Sequence, residues 1–172
     1  ILKASLLVAQ GKFADAAQML SALDMSKEKG LEAEDYRLLM AEALCRTNKR
    51  AEANTLLDNL VKEASRTEIK TRAGLLLGFS EMEEPSTYTT GVARVRLLLR
   101  TNPGDKISEV DAKSFAEKLL QAGNAAEAED EYRRYLEAFP SAAMDPSVLE
   151  RRGQALFMLG RYSESAAEFV KA

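Results

Sequence analysis

A pattern of residue types recurs about every 37 residues along this 172-residue chain. Its most regular feature is a residue suited to a tight turn. These turn residues, at spacings of 37, 38, 37 and 37, are Gly11, Asn48, Ser86, Gly123 and Gly160. Glycine and asparagine adopt positive φ at low steric cost, and such a residue commonly ends a helix. We therefore predict that each turn residue joins two helices, with serine the weakest member of the set.

Small and bulky residues keep fixed distances from the turn residues. Five positions later the residue is always small: Ala16, Ala53, Gly91, Ala128 and Ser165. Nine positions later it is always bulky: Leu20, Leu57, Val95, Tyr132 and Phe169. An offset of four places both on one helix face, where a small residue lets two helices approach closely. The pattern predicts helix–turn–helix repeats that bury their apolar faces by stacking.

This pattern resembles the tetratricopeptide repeat (TPR), most clearly in AEKLLQAGNAAEAEDEYRRYLEAFP and GQALFMLGRYSESAAEFVKA. The residue sequences of these segments resemble bacterial versions of the repeat. The spacing departs from the usual value of about 34 residues, and the third repeat is degenerate. The resemblance implies an all-α fold, an α-solenoid in which antiparallel helix–turn–helix repeats stack into a right-handed superhelix.

We predict one TPR-like domain over 1–172, with repeats at 1–29, 30–66, 67–104, 105–141 and 142–172. Because the helical pattern is already under way at residue 1, we expect a fragment of a longer protein. The predicted helices are a partial one to about residue 10, then 13–23, 31–46, 50–64, 70–79, 88–100, 108–121, 125–138, 146–159 and 162–172. Residues 24–30 and Pro103-Gly104 are predicted to lie in loops.

Three helix starts carry candidate capping residues. Thr67 precedes the fifth helix, and Ser108 with Asp111 three residues later resembles a capping box. Asp145 precedes Pro146, the pairing of a cap residue with a first-turn proline.

The composition argues against several classes of function. The net charge is −3, so no basic field for nucleic acid is predicted. The longest apolar run, 73–79, is too short to span a membrane. With no histidine and a single cysteine, Cys45, a Ser-His-Asp or Cys-His arrangement cannot form within these residues. We predict no catalytic residue, no metal, no cofactor and no enzyme activity.

Charged clusters are interpreted as solvated helix faces. One cluster is acidic: Glu127, Glu129, Asp130 and Glu131. The arginine pairs Arg133-Arg134 and Arg151-Arg152 receive the same interpretation, because arginines beside a packed helix are usually surface residues.

The resemblance implies that ligands bind in a concave groove lined by the first helix of each repeat. The candidate groove residues are Leu38, Glu42, Cys45, Leu76, Ser80, Lys113, Glu117, Leu120, Glu150, Gln154 and Phe157. Their mixture of apolar and acidic types favours a peptide with apolar side chains and some positive charge. The alternative is that several of them pack against neighbouring repeats.

We therefore predict a non-catalytic scaffold or adaptor that binds a protein or peptide segment. Two alternatives stay open. One is structural self-association or a spacer role, and the other is a regulatory arm of an enzyme whose catalytic domain lies outside this chain. The sequence does not distinguish the cytoplasm from a bacterial periplasm or cell envelope.

Overall fold

A computed structural model of the chain describes residues 2–23, 30–101 and 106–172, without the side chains of 106–108. The described residues form ten α-helices and one 3₁₀-helix, and no strand occurs among them. The α-helices are α1 (Leu2–Ala9), α2 (Phe13–Ser21), α3 (Leu31–Arg46), α4 (Arg50–Glu63), α5 (Thr67–Glu81), α6 (Tyr88–Thr101), α7 (Lys106–Gln121), α8 (Ala125–Ala138), α9 (Pro146–Met158) and α10 (Tyr162–Lys171). The 3₁₀-helix, Pro140–Met144, precedes α9.

The predicted helices are confirmed within a few residues, and α3 and α8 match at both ends. The cap at Asp145 is also confirmed, since its carboxylate accepts a hydrogen bond from the Ser147 amide at 2.9 Å. Two predicted caps are wrong. Thr67 is the first helical residue of α5, and the backbone of Ser108 is already helical in α7. Of the predicted loops, 24–29, Pro103 and Gly104 lie outside the described residues.

Four of the five turn residues have the predicted backbone conformation. The φ angles are +72° at Gly11, +61° at Asn48, +81° at Gly123 and +75° at Gly160. At Gly160 the amide donates to the Phe157 carbonyl at 3.0 Å, and the next amide donates to the Leu156 carbonyl at 2.9 Å. This pair of bonds is the Schellman motif, which satisfies the last carbonyls of the helix.

The turn at Ser86 is built differently. No residue from 82 to 87 has positive φ, because the third repeat lacks glycine or asparagine there. The hydroxyl of Thr87 instead donates to the Glu81 carbonyl at 2.8 Å, and the Thr87 amide donates to the Glu84 carbonyl at 3.1 Å. A side chain thus replaces part of the backbone bonding that the other turns use.

By packing, the chain divides into two compact units, Ile1–Leu98 and Leu99–Ala172. In the N-terminal unit, the small residues Ala16, Ala53 and Gly91 are buried, as the repeat pattern predicts. In the C-terminal unit, Ala128 and Ser165 are buried likewise. The bulky position is buried in four repeats: Leu20, Leu57, Val95 and Tyr132.

Phe169 is the exception among the bulky positions, because 46% of it is exposed. Its ring lies against the backbone of Gly153. Contact with one neighbouring helix covers only part of this side chain.

Candidate protein-binding surface

In the N-terminal unit, the apolar groove candidates contribute to the core. Leu38, Cys45 and Leu76 are half-buried and pack against a cluster that includes Ala41, Leu57, Leu60, Ile69, Ala73 and Leu77. Burial raises the pKa of the Cys45 thiol, which disfavours the reactive thiolate. These three side chains fit the packing alternative.

The polar candidates of the same unit are also partly or fully occupied. The carboxylate of Glu42 lies 3.6 Å from the Arg72 guanidinium, which ties α3 to α5. Ser80 is 7% exposed, so its hydroxyl is not presented to a ligand. None of the five candidates in this unit is fully exposed.

In the C-terminal unit, Lys113 joins α7 to the start of α9. Its ammonium donates to Asp145 Oδ2 at 2.8 Å and to Ser147 Oγ at 2.7 Å. The bond from Lys113 lowers the pKa of Asp145 to about 2, with Ser147 contributing. Leu120 is 6% exposed and belongs to the core. These two groove candidates therefore position α7 and α9.

The remaining candidates on α9 form an exposed surface. Glu150, Gln154 and Phe157 are all exposed, and their spacing of four and three residues places them on one face of the helix. We call these three residues the α9 face. Leu149 and Leu156 on the same helix are buried, so the core side of α9 orients this face outward.

An aromatic pair extends the α9 face to the start of α10. The rings of Phe157 and Tyr162 lie 5.3 Å apart between centroids at an interplanar angle of 64°, an edge-to-face contact. Phe157 is 59% exposed and Tyr162 is 64% exposed.

The last groove candidate, Glu117 on α7, is half-buried. Burial raises the pKa of Tyr132, and the negative charge of Glu117 raises it further.

A buried ion cluster was missed by the sequence interpretation. Glu129 and Glu168 are buried, and Arg152 on α9 lies between them, donating at 3.1 Å to a carboxylate oxygen of each. A second guanidinium, that of Arg161, lies 3.3 Å from Glu129. The cluster links α8, α9 and α10.

The predicted solvated faces are therefore wrong for Glu129 and Arg152, and the prediction also fails for Glu131, whose side chain is only 11% exposed. The partners of Arg152 lie 23 and 16 residues away, beyond the reach of a pattern confined to one helix. One signal was present: Glu129 follows Ala125 by four residues and precedes Tyr132 by three, so it shares their buried face. Arg133 is exposed as predicted, and pairs with Glu137 and Asp130.

Within the described ranges, no group of three or more acidic, cysteine or histidine side chains is arranged to hold a metal ion. Among the described residues, no helix has both the length and the apolar composition that a membrane span requires.

The repeated hairpins, their Schellman turns and their buried small residues define an all-α protein of the helical-repeat, α-solenoid class. A search of solved structures finds the same fold in MamA, a TPR-like helical repeat protein. MamA AMB-1 shares 18% sequence identity, with a TM-score of 0.72 over 98% of this chain and 92% of that chain. MamA MSR-1 shares 18% identity, with a TM-score of 0.69 over 98% and 90%.

Another crystal structure of MamA has a TM-score of 0.71 at 12% identity, over 98% of this chain and 91% of that chain. No protein-family model matches the chain, and no curated protein matches its sequence. At these identities the similarity shows the fold.

Proposed function

We propose that the chain is a TPR-like, non-catalytic scaffold or adaptor that binds a protein or peptide segment on the α9 face. The observation that carries the proposal is Phe157, 59% exposed on a helix whose opposite side is core. Exposed aromatic side chains held by a rigid element are typical of protein-binding surfaces. The fold shared with MamA supports a repeat protein of this class.

The surroundings of Phe157 suit recognition by preformed side chains. The edge-to-face contact with Tyr162 restrains both rings before a partner arrives. Restraint of this kind lowers the entropy lost on binding. We centre the proposal on α9 because the candidates of the N-terminal unit are half-buried or buried.

The test is affinity capture from a lysate of the source organism with three versions of the chain as bait. They are the wild type, an α9-face variant with Phe157→Ser and Gln154→Ala, and a control with Glu52→Lys on exposed α4 surface. We expect the wild type and the control to retain the same partner and the α9-face variant to lose it. Retention of that partner by all three baits would show that binding occurs elsewhere.

Self-association is a second candidate function, favoured by exposed leucines on α1. Leu2 is 89% exposed and Leu6 is 57% exposed, and they lie one turn apart. Light scattering over a hundredfold dilution series tests it. A mass that falls on dilution, and a smaller mass for Leu6→Ser at equal concentration, would support self-association. A single-chain mass throughout would exclude it.

A further inference from the structure

The α9 face combines three chemically different groups along one line. Glu150 and Phe157 are separated by seven residues, which is about 10 Å along a helix axis at a rise of roughly 1.5 Å per residue. Gln154 lies between them, one turn from each. The face therefore presents a carboxylate, an amide and an aromatic ring in that order.

The carboxylate end is available to a cation. The Glu150 side chain is exposed, and its carboxylate makes no ion pair or hydrogen bond with any other described residue. The nearest cation in sequence, Arg151, directs its guanidinium to Gln154 instead. On α7, the Lys113 ammonium is held by Asp145 and Ser147.

The amide in the middle contacts a neighbouring arginine. Arg151 Nη1 donates to Gln154 Oε1 at 3.2 Å, so the amide oxygen faces the guanidinium. The amide nitrogen of Gln154, which has two N–H donors, is then left to donate. A backbone carbonyl of a bound chain is an acceptor of the right kind, and recognising it requires no particular side chain.

The aromatic end offers contact area without a charge. Phe157 and Tyr162 are both more than half exposed, and Met158 beside them is 50% exposed. An aliphatic or aromatic side chain placed against these rings would bury apolar surface of both partners.

Building on the function proposed above, we propose that the α9 face binds an extended protein segment with a basic residue three positions from an apolar residue. In the polyproline II form of an extended chain, three residues span about 9 Å at roughly 3.1 Å each and complete one turn, so the two side chains lie on the same side of the chain. This matches the separation of Glu150 and Phe157. The basic side chain pairs with Glu150, a backbone carbonyl accepts from Gln154, and the apolar side chain lies on Phe157 and Tyr162.

The experiment is an NMR titration of the ¹⁵N-labelled chain, which detects millimolar binding residue by residue. The probes are short Gly/Ser peptides carrying arginine and phenylalanine three positions apart, in both orders. Matched peptides carry glutamate for arginine, or serine for phenylalanine. We expect one order to shift the amides of residues 150–162. Binding should weaken at least fivefold with glutamate in the peptide and at least tenfold with serine.

The charge-reversed variant Glu150→Arg provides the reciprocal test. It should bind the glutamate peptide at least fivefold more tightly than the arginine peptide, while the control Glu52→Arg should behave like the wild type. If the arginine peptide and the glutamate peptide bind equally well to the α9 face of the wild type, the inference of a basic residue is wrong, but the α9 face is still a binding surface. If neither peptide shifts these amides at millimolar concentration, the inference is wrong, although lysate capture that depends on Phe157 would still uphold the proposed function.

Discussion

Gly91 on α6 lies against the backbone at the end of α5. A Cβ atom at this position would lie 2.5 Å from the Gly78 carbonyl oxygen and 2.8 Å from the Met82 amide nitrogen. Both neighbours are backbone atoms that belong to a packed helix, so neither can move without displacing α5. Only glycine therefore fits at this position.

We predict that Gly91→Ala lowers the free energy of unfolding by about 2 kcal/mol. Overpacking of roughly 3 kcal/mol is partly offset by the higher helix propensity of alanine, about 1 kcal/mol. Urea denaturation followed by circular dichroism measures the change. The matched control is Gly153→Ala, whose Cβ would have atoms of the Phe169 ring as its nearest neighbours, the closest at 3.1 Å. That ring is a side chain and is 46% exposed, so it should yield more readily than backbone, and a loss as large as that of Gly91→Ala would contradict this explanation.

Glu34 on α3 accepts hydrogen bonds from the Ser65 amide at 2.5 Å, the Ser65 hydroxyl at 2.7 Å and Arg66 Nε at 3.1 Å. The Ser65 bonds, with help from Arg66, lower the pKa of Glu34 from 4.5 to about 2. The charged form is therefore favoured by folding, and it fastens α3 to the start of α5.

We predict that the stabilisation from Glu34 is complete above pH 4.5 and is lost as the pH falls toward about 2. The measurement is the urea midpoint of the wild type and of Glu34→Gln from pH 2 to pH 7. The difference in urea midpoint between the wild type and Glu34→Gln should be largest at neutral pH and should decrease below pH 4.5. Glu32→Gln, at an exposed position on the same helix, should show no such gap. A gap that is constant with pH would show that the Glu34 charge is not the cause.

At the scale of helices, the cluster around Arg152 ties three elements together. Arg152 on α9 pairs with Glu129 on α8 and with Glu168 on α10, and both carboxylates are buried. Removing the arginine would leave two buried carboxylates with fewer partners, which costs more than an exposed pair is worth.

We predict that Arg152→Ala lowers the free energy of unfolding by about 3 kcal/mol. Arg133→Ala, which removes exposed pairs with Asp130 and Glu137 on α8, should change it by less than about 0.5 kcal/mol. Thermal and urea denaturation of both variants under one set of conditions makes the comparison. Similar losses for the two arginines would mean that burial of the cluster contributes little.

The sequence predicts the turns between helices well, but it does not predict the ion pairs between helices. The turns at Gly123 and Gly160 follow from local chemistry, because positive φ depends on the residue itself. The register of Glu150 predicted a groove position but not its exposure, because Leu38 and Leu76 at the same position of other repeats are half-buried. The environment of Glu129 and the burial of Ser80 depend on residues far along the chain, which a repeat pattern does not report. Local prediction also fails at Thr67. This residue type favours the cap position, but here it is the first residue of the helix.

At the scale of the whole molecule, the chain divides into the units Ile1–Leu98 and Leu99–Ala172. In repeat proteins each repeat contacts its neighbours, so stability is a sum of local terms and parts of the array can open separately. A destabilising substitution should therefore lower the free energy of local opening mainly in the unit that contains it. Gly91 and Arg152 lie in different units and provide one probe for each.

We predict that amide hydrogen exchange separates the two probes. Arg152→Ala should speed amide exchange in α8, α9 and α10 and leave exchange in α3 and α4 close to wild type. Gly91→Ala should speed amide exchange in α3 and α4 and leave exchange in α8, α9 and α10 close to wild type. The physical reason is that opening one unit exposes its own backbone hydrogen bonds without breaking those of the other. Arg133→Ala serves as the control and should change neither set. If both destabilising variants speed exchange uniformly from α3 to α10, the chain opens as one cooperative structure, and the division into separately opening units is wrong.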